Sequence, residues 1–204
     1  MFQNQQRTHN HMKTIKNPFS LFSEWYDEEL KLSDLKIPSA VCLSTFGMDN
    51  YPNARFVSFK ELVDDSFVIT GPLNSRKGIE IENNNNVALT FWWTATEKQI
   101  RIQGSAKQIS EVLANKYFNE RSTTSKAVSS VCEQGQDIDN LQELETQVLD
   151  KVSNHTELNK PKDWSGFQIK PIRIEFMVFK SSRFHHRTLY EFEHGEWHEK
   201  QIQP

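Results

Sequence analysis

Five cationic or hydroxyl side chains flank or follow a predicted β-hairpin in the first half of the chain. Two runs of apolar and β-branched residues surround the pair Asp64-Asp65, which is typical of a hairpin turn. A Ser-Arg-Lys sequence then predicts the start of a helix capped by its serine, and helix N-termini attract anions. This group suits a phosphate, although a solvated basic turn fits the same residues. Its members are Arg55, Lys60, Ser75, Arg76 and Lys77.

Two further polar groups occur in the second half of the chain. Tyr117, Arg121 and Ser125 are spaced four residues apart, so they would share one face if a single helix runs through them, an assumption that the sequence at 122–124 weakens. A phenol, a guanidinium and a hydroxyl there suit a second phosphate, although Arg121 paired with a nearby glutamate is the alternative. Arg183 and His185 would share one face of an extended segment and suit an aromatic or carboxylate-bearing substrate. Two phosphate groups indicate two phosphorylated ligands or one dinucleotide.

Several classes of site lack support in the sequence. No Gly-x-Gly-x-x-Gly follows a predicted strand and no Gly-x-x-x-x-Gly-Lys-Ser/Thr occurs, which argues against Rossmann and P-loop nucleotide binding. No Gly-x-Ser-x-Gly supplies the context of a hydrolase. The pair His185-His186 has no carboxylate or cysteine cluster at ligand spacing, so no metal site is predicted. The formal net charge of −3 argues against general nucleic-acid binding.

Length and composition predict one domain with a tail. The chain has 204 residues, of which 1–16 are polar and predict a disordered tail, while 17–204 predict the domain. No apolar run approaches membrane-spanning length and the N-terminus lacks the apolar core of a signal peptide, so we expect a cytoplasmic protein without a membrane partner. Cys42 and Cys132 match no metal spacing and are expected to be reduced and buried.

The elements that must position the polar groups are mainly strands. An amphipathic helix with an aromatic stripe precedes the first predicted strand, 40–46. Five strands then follow one another through residue 104, with short links between them and one helix after the third. This succession predicts a mostly antiparallel sheet rolled into a barrel. Two helices are predicted between Ser110 and Val152, and the last third returns to strands.

Taken in order, these residues resemble the pyridoxamine 5'-phosphate oxidase family over residues 17–204. The resemblance implies an α+β, mainly β fold, an antiparallel split β-barrel with flanking helices, working as a homodimer with FMN at the subunit interface. It also implies oxidation of pyridoxamine 5'-phosphate or pyridoxine 5'-phosphate to pyridoxal 5'-phosphate, with molecular oxygen as acceptor and hydrogen peroxide as product. Its most specific segments are 55–60, 74–77, 164–167, 174–176, 183–187 and the strand at Gln99.

The same resemblance implies roles for individual residues. The positions that match the FMN site are Arg55, Val57, Ser58, Lys60, Ile69, Thr70, Ser75, Arg76, Lys77, Gln99, Gln134 and Arg187. The positions that match substrate contacts are Lys60, Tyr117, Arg121, Ser125, Arg183 and His185. Within that set, Arg183 and His185 would be the catalytic pair, holding the pyridine ring against the flavin.

The chain departs from the family pattern in four places. His186 stands where the family usually has Asp, and Met177 stands where it usually has Trp. One additional residue lies between Thr70 and Ser75, and the N-terminal segment lacks the usual lid sequence with Arg and Tyr. Loss of a lid would weaken substrate closure and not the flavin chemistry, which leaves room for a changed substrate.

Three alternatives follow from the same fold. A flavin oxidase acting on another aromatic, such as a reduced phenazine precursor, would be expected to lack the set Tyr117, Arg121 and Ser125. A non-catalytic module that binds flavin or pyridoxal phosphate has no need of the pair Arg183 and His185. A deazaflavin-dependent reductase shares the barrel, but no residue favours it over an FMN protein.

Overall fold

A computed structural model describes residues 17–154 and 158–204, so the predicted tail, 1–16, lies outside the described residues. Thirteen helices and strands follow one another in the described part of the chain. In chain order they are α1 (Pro18–Leu32), β1 (Ala40–Phe46), β2 (Pro52–Val63), β3 (Ser66–Pro72), α2 (Arg76–Asn83), β4 (Asn86–Trp93), β5 (Lys98–Gln108), α3 (Glu111–Asn119), α4 (Thr123–Val131), α5 (Leu141–Ser153), β6 (Trp164–Val178), β7 (His186–Glu193) and β8 (Glu196–Ile202).

The strands form an antiparallel barrel that closes through its longest strand. The sheet order is β3-β2-β1-β4-β5-β6-β7-β8, and β3 pairs again with β6. The first part of β6, residues 164–169, pairs with β3, while residues 173–178 pair with β7. The hairpin of β7 and β8 therefore extends the sheet beyond the barrel. This architecture confirms the predicted mainly β fold with an antiparallel barrel and flanking helices.

The core sits inside the barrel and beneath α1. Helix α1 begins after Asn17, whose side-chain oxygen accepts a hydrogen bond from the Phe19 N–H at 2.8 Å. The Phe22 ring of that helix packs edge-on against Phe59, Phe67 and Phe91 of three strands, with ring centroids 4.8–5.4 Å apart. Burying each such side chain stabilises the fold by about 1.5–3 kcal/mol, so α1 is fixed on the barrel by its aromatic stripe.

The turn between β2 and β3 has the predicted hairpin geometry. Asp64 and Asp65 have φ values of 47° and 56°, the left-handed conformation that two-residue hairpin turns of the favoured twist require. Aspartate tolerates this conformation better than most residues. The turn is followed directly by β3, which leads into the Ser75 region.

The helical region after β5 is broken at residues 120–122, next to the sequence that weakens the assumption of a single helix, so it has no continuous helix face. Helix α3 ends at Asn119, and α4 begins at Thr123. The Ser122 hydroxyl accepts a hydrogen bond from the Ser125 N–H at 3.2 Å and caps α4. A serine hydroxyl that bonds the backbone locally competes with helix propagation, which explains the break.

The connection between β6 and β7 also differs from the prediction. Arg183 has a φ of 66° and lies in a turn, and β7 begins only at His186. The expected extended segment from Arg183 to Arg187 is therefore wrong for its first half. We call residues 179–185 the Arg183 turn.

Both cysteines are free, as expected, but neither is fully buried. Cys42 lies on β1 and Cys132 follows α4, and each is partly exposed. None of the helices in residues 17–154 and 158–204 is long and apolar enough to cross a membrane.

Candidate functional site

A cavity of about 360 Å³ lies between β2, β3 and the helices α2 and α4. Its wall includes side chains from both of the groups that suit a phosphate, and we call it the Lys77 cavity. Among the residues assigned to a site by the sequence, it brings together Arg55, Val57, Thr70, Lys77, Arg121 and Gln134.

Lys77 is a buried cation in the wall of this cavity. Its Nζ donates hydrogen bonds to Ser75 Oγ at 2.8 Å and to Gln134 Oε1 at 2.6 Å. Burial and then the nearby Arg55 charge lower the pKa of Lys77 to about 8. No carboxylate of the described residues lies within ion-pairing distance of Lys77. A buried ammonium without a counterion is a strong site for an anion.

The residues around Lys77 are arranged to admit its side chain. The Ser75 hydroxyl donates to the Pro72 carbonyl at 2.7 Å and accepts from Lys77, so it does not cap α2 as expected. A Cβ added at Gly71 would lie 2.8 Å from Lys77 Cε. Glycine at this position therefore leaves the space through which the lysine reaches the cavity.

A buried carboxylate, Glu80, binds two further cations of the first group, Arg55 and Arg76. Arg55 Nη2 and Arg76 Nε donate to its oxygens at 2.8 and 2.9 Å, and Thr45 Oγ1 and Asn53 Nδ2 donate at 2.6 and 2.9 Å. Burial would raise the pKa of Glu80, but these four hydrogen bonds lower it to about 2. Glu80 therefore stays ionised and fixes the orientation of Arg55 beside the cavity.

Arg76, although it follows Ser75 at the start of α2, does not face the cavity. Its side chain is 61% exposed and also pairs with Asp49 at 2.8 Å. It is thus engaged by two carboxylates, one buried and one exposed. Arg76 does not line the Lys77 cavity, in contrast to its neighbour in sequence.

The second group meets the same cavity through Arg121. Its guanidinium lies 5.0 Å from the centre of the Trp164 ring, and Nη2 donates to the Ser125 carbonyl at 3.0 Å. Burial lowers the pKa of Arg121. Burial and then the Arg121 charge lower the pKa of Lys60, while Glu120 opposes that shift. Lys60 and Arg121 are thus electrostatic neighbours.

Tyr117, by contrast, is directed to a carboxylate. Its hydroxyl donates to Glu61 Oε1 at 2.8 Å, and Lys116 Nζ donates to the same oxygen at 2.7 Å. Burial and then the hydrogen bond to Glu61 raise the pKa of Tyr117. Tyr117 is buried and does not line the Lys77 cavity.

The third group lies at the other end of the sheet. His185 and Arg187 line a second cavity, of about 520 Å³, beside β8. His185 Nδ1 accepts from the Lys180 N–H at 3.1 Å, and Arg187 forms an ion pair with the buried Glu175 at 2.7 Å. Arg183 is exposed in the Arg183 turn. These residues do not meet the Lys77 cavity within one chain.

Gln99 belongs with this third group. In the register of β4 to β7, Trp92, Gln99, Met177 and Arg187 are successive cross-strand partners. Side chains directly opposite each other lie on one face of a sheet, so Gln99 and Arg187 flank Met177, the position that departs from the family pattern.

Several assigned residues line neither cavity, Ile69 and Ser58 among them, and three residues that contribute to the site were missed. Ile69 is 1% exposed within the core, and Ser58 lies opposite Ala40 on β1. Glu80 could have been found from its spacing four residues after Arg76, which favours an ion pair on a helix. The other two are Trp164, which belongs to a segment that carries the family resemblance but had no assigned role, and Glu61, for which the sequence carried no signal.

The chemistry that this arrangement permits is anion binding at two adjacent points. Lys77 and Arg55 offer one cationic point, and Arg121 with Lys60 offers another. Cationic donors of this kind bind phosphate oxygens by charge-assisted hydrogen bonds. Across the described ranges, no group of three or more His, Cys, Asp or Glu side chains could hold a metal ion.

Comparisons with known proteins confirm the family resemblance. A family model described as Pyridoxamine 5'-phosphate oxidase matches residues 28–150, and one described as Pyridoxine 5'-phosphate oxidase C-terminal dimerisation region matches residues 164–204. The pyridoxine/pyridoxamine 5'-phosphate oxidase of Nostoc punctiforme is 35% identical over 92% of this chain and 89% of its own length. That of Pelagibacter ubique is 32% identical over 92% of each chain.

Two solved structures share the fold over nearly the whole chain. PhzG from Burkholderia lata, solved in complex with tetrahydrophenazine-1-carboxylic acid, has a TM-score of 0.87 and 25% identity, covering 94% of this chain and 95% of its own. A Nostoc punctiforme protein described as pyridoxamine 5'-phosphate oxidase-related and FMN binding has a TM-score of 0.76, covering 94% of this chain and 99% of its own. Its identity of 13% makes that likeness one of fold alone.

Proposed function

The chain belongs to the pyridoxamine 5'-phosphate oxidase family, and we propose that it is an FMN-dependent oxidase of phosphorylated B6 vitamers. Pyridoxamine 5'-phosphate or pyridoxine 5'-phosphate would be converted to pyridoxal 5'-phosphate, with molecular oxygen as acceptor and hydrogen peroxide as product. One observation carries the proposal. Lys77 and Arg121, from the two predicted phosphate groups, line one cavity, and neither has a carboxylate partner in the described part of the chain.

The residues of the Lys77 cavity fit the FMN phosphate. Lys77 would hold it with Arg55, which Glu80 already orients, and Gln134 and Ser75 keep the Lys77 ammonium in place. Val57 and Thr70 would line the same site, while Arg76 would contribute its charge from outside the cavity. Bound FMN would supply the two-electron redox chemistry, taking electrons from the substrate and passing them to oxygen.

The adjoining cations fit the phosphate of the substrate. Arg121 is held between the Trp164 ring and the Ser125 carbonyl, and Lys60 lies close enough for the two charges to repel. A ligand phosphate would relieve that repulsion, and it would place the reacting ring relative to the flavin. Tyr117 and Ser125 complete the proposed substrate contacts.

The third group would complete the site through a homodimer. Residues 164–204 match a dimerisation region, and they include Arg183, His185 and Arg187. Because these side chains do not reach the Lys77 cavity of their own chain, we propose that they meet the flavin across the dimer interface, with Gln99 beside them. Arg183 and His185 would orient the substrate ring and stabilise developing charge.

The decisive experiment is a visible spectrum of the purified protein reconstituted with FMN, followed by anaerobic addition of pyridoxamine 5'-phosphate. Bleaching of the flavin, then recovery of colour with release of hydrogen peroxide in air, is the expected result. A spectrum that stays oxidised would reject the B6 substrate, and failure to take up FMN would reject the cofactor. Lys77→Met is the matched control because it removes the ammonium and keeps an unbranched chain.

A second candidate is an oxidase acting on an aromatic without a phosphate. The structural likeness to PhzG favours it, as do His186 and Met177 at positions where the family usually has other residues. The two candidates differ in their need for the Arg121 group. Arg121→Ala should raise the Michaelis constant for pyridoxamine 5'-phosphate about 10- to 100-fold, from the loss of a charge-assisted hydrogen bond. An unaltered constant would favour the second candidate.

A further inference from the structure

An irregularity in β2 places an acidic residue at the second cation group. Phe59 pairs with Ile69 and Leu62 pairs with Phe67, so the register of β2 against β3 contains one extra residue between them. Lys60 and Glu61 lie in this bulge. A bulge interrupts the alternation of side chains and re-aims them. The bulge explains why Lys60 and Glu61, although consecutive in sequence, both lie near the C-terminal end of α3.

The Glu61 carboxylate accepts the one hydrogen bond that the Tyr117 hydroxyl can donate. The two oxygens are 2.8 Å apart, and Lys116 donates to the same carboxylate oxygen at 2.7 Å. These two hydrogen bonds lower the pKa of Glu61, so it is ionised at neutral pH. A phosphate monoester is mainly a dianion near pH 7 and only accepts hydrogen bonds. Tyr117 cannot donate to such a ligand and to Glu61 at the same time.

We propose that Glu61 is a specificity-determining residue, because it competes with the ligand phosphate for the Tyr117 hydroxyl. The inference rests on the proposed function, in which Tyr117 is a phosphate contact. Glu61 keeps Lys116 as a partner when Tyr117 turns to the ligand, so the exchange leaves no carboxylate unpaired. The competition lowers the affinity of this chain for phosphorylated substrates relative to the same ring without a phosphate.

The test measures binding to the FMN-loaded protein by calorimetry. The ligand is 4-deoxypyridoxine 5'-phosphate, which carries the ring and phosphate but a methyl group where the oxidised carbon would be. Glu61→Ala should bind it about threefold to tenfold more tightly than the wild type, the value of one hydrogen bond. Glu61→Gln, with a neutral acceptor of the same shape, should give an intermediate gain. Unphosphorylated 4-deoxypyridoxine should bind all three proteins equally.

A double-mutant cycle with Tyr117→Phe separates competition for the hydroxyl from a general charge effect. If Glu61 acts through Tyr117, the gain from Glu61→Ala disappears in the Tyr117→Phe background. The same gain in both backgrounds, or no gain at all, overturns the inference while the proposed function stands. If neither the wild type nor Glu61→Ala binds the phosphorylated ligand more tightly than unphosphorylated 4-deoxypyridoxine, the protein has no phosphate contact. That result rejects both proposals.

Discussion

The Lys77 cavity and the Arg183 turn hold residues of the same proposed active site, yet they are organised in opposite ways. In the cavity, Lys77 and Arg55 are held by hydrogen bonds that they donate to buried or adjoining side chains. In the turn, Arg183 is exposed and has a left-handed backbone, and His185 is fixed by a single backbone N–H and a ring contact. The chain by itself thus builds the proposed phosphate site and leaves the proposed reacting end open.

The difference indicates how each region gains its geometry. The cavity keeps a desolvated ammonium without a counterion, which lowers the stability of the free protein and favours an anionic ligand. The turn holds a non-glycine residue at positive φ, a conformation that costs about 1–2 kcal/mol and persists only where other contacts impose it. Ligand binding would relieve the cost of the desolvated ammonium in the cavity, whereas dimer assembly would order the Arg183 turn.

The largest effect is expected from the carboxylate beneath the cavity. Glu80→Ala leaves Arg55 without its buried partner, so the free energy of unfolding should fall by about 3–5 kcal/mol. Urea denaturation measures the loss. Asp49→Ala is the matched control, because it removes the exposed partner of Arg76, which Glu80 also binds, and should cost far less. Equal losses in the two variants would show that the cavity is not preorganised by Glu80.

The next effect concerns the protonation of Lys77. Its pKa of about 8 in the free protein would rise when a phosphate dianion binds, so binding takes up a proton. FMN affinity should be nearly constant from pH 7 to 8 and fall as pH rises further, by up to about tenfold per unit. Flavin fluorescence quenching measures this. Lys77→Met should bind FMN more weakly and lose the decline, whereas parallel pH curves would place the phosphate away from Lys77.

The smallest effect is expected at the turn. Arg183→Gly relieves the left-handed strain and should leave the free energy of unfolding unchanged or raise it by about 0.5 kcal/mol, while turnover falls. Thermal unfolding measures the change. The contrasting variant is Gly71→Ala, whose added Cβ would lie 2.8 Å from Lys77 Cε and should destabilise the cavity. If Arg183→Gly destabilises the protein as much as Gly71→Ala, the two regions are not organised differently.

The sequence predicted the elements better than the contacts between them. Alternation in residues 99–104 and the acidic pair at 64–65 depend on local pattern and turn chemistry, so the strand and the hairpin were found. The sequence at 122–124 indicated a weak point in the helix but not the capping role of Ser122. The left-handed turn at Arg183 was missed, because local hydrogen bonds overrode an extended pattern.

For the site, the sequence identified charges but not their partners. Arg55, Lys77 and Arg121 were predicted from residue type and resemblance, and one cavity does bring them together. The outward direction of Arg76 and the capture of Tyr117 by Glu61 depend on long-range packing and on the register of a bulge. No spacing along the chain encodes these contacts.

The barrel closure between β3 and β6 sets when the proposed cofactor can enter during protein synthesis. Pro72 pairs with Trp164 and Gly71 pairs with Ser165, so the wall beside Lys77 is finished by the last third of the chain. Such non-local pairings form late, because their loop-closure entropy is lost before the contact is gained. A nascent chain that still lacks β6 has no complete phosphate site, so flavin loading must wait until β6 has left the ribosome's exit tunnel.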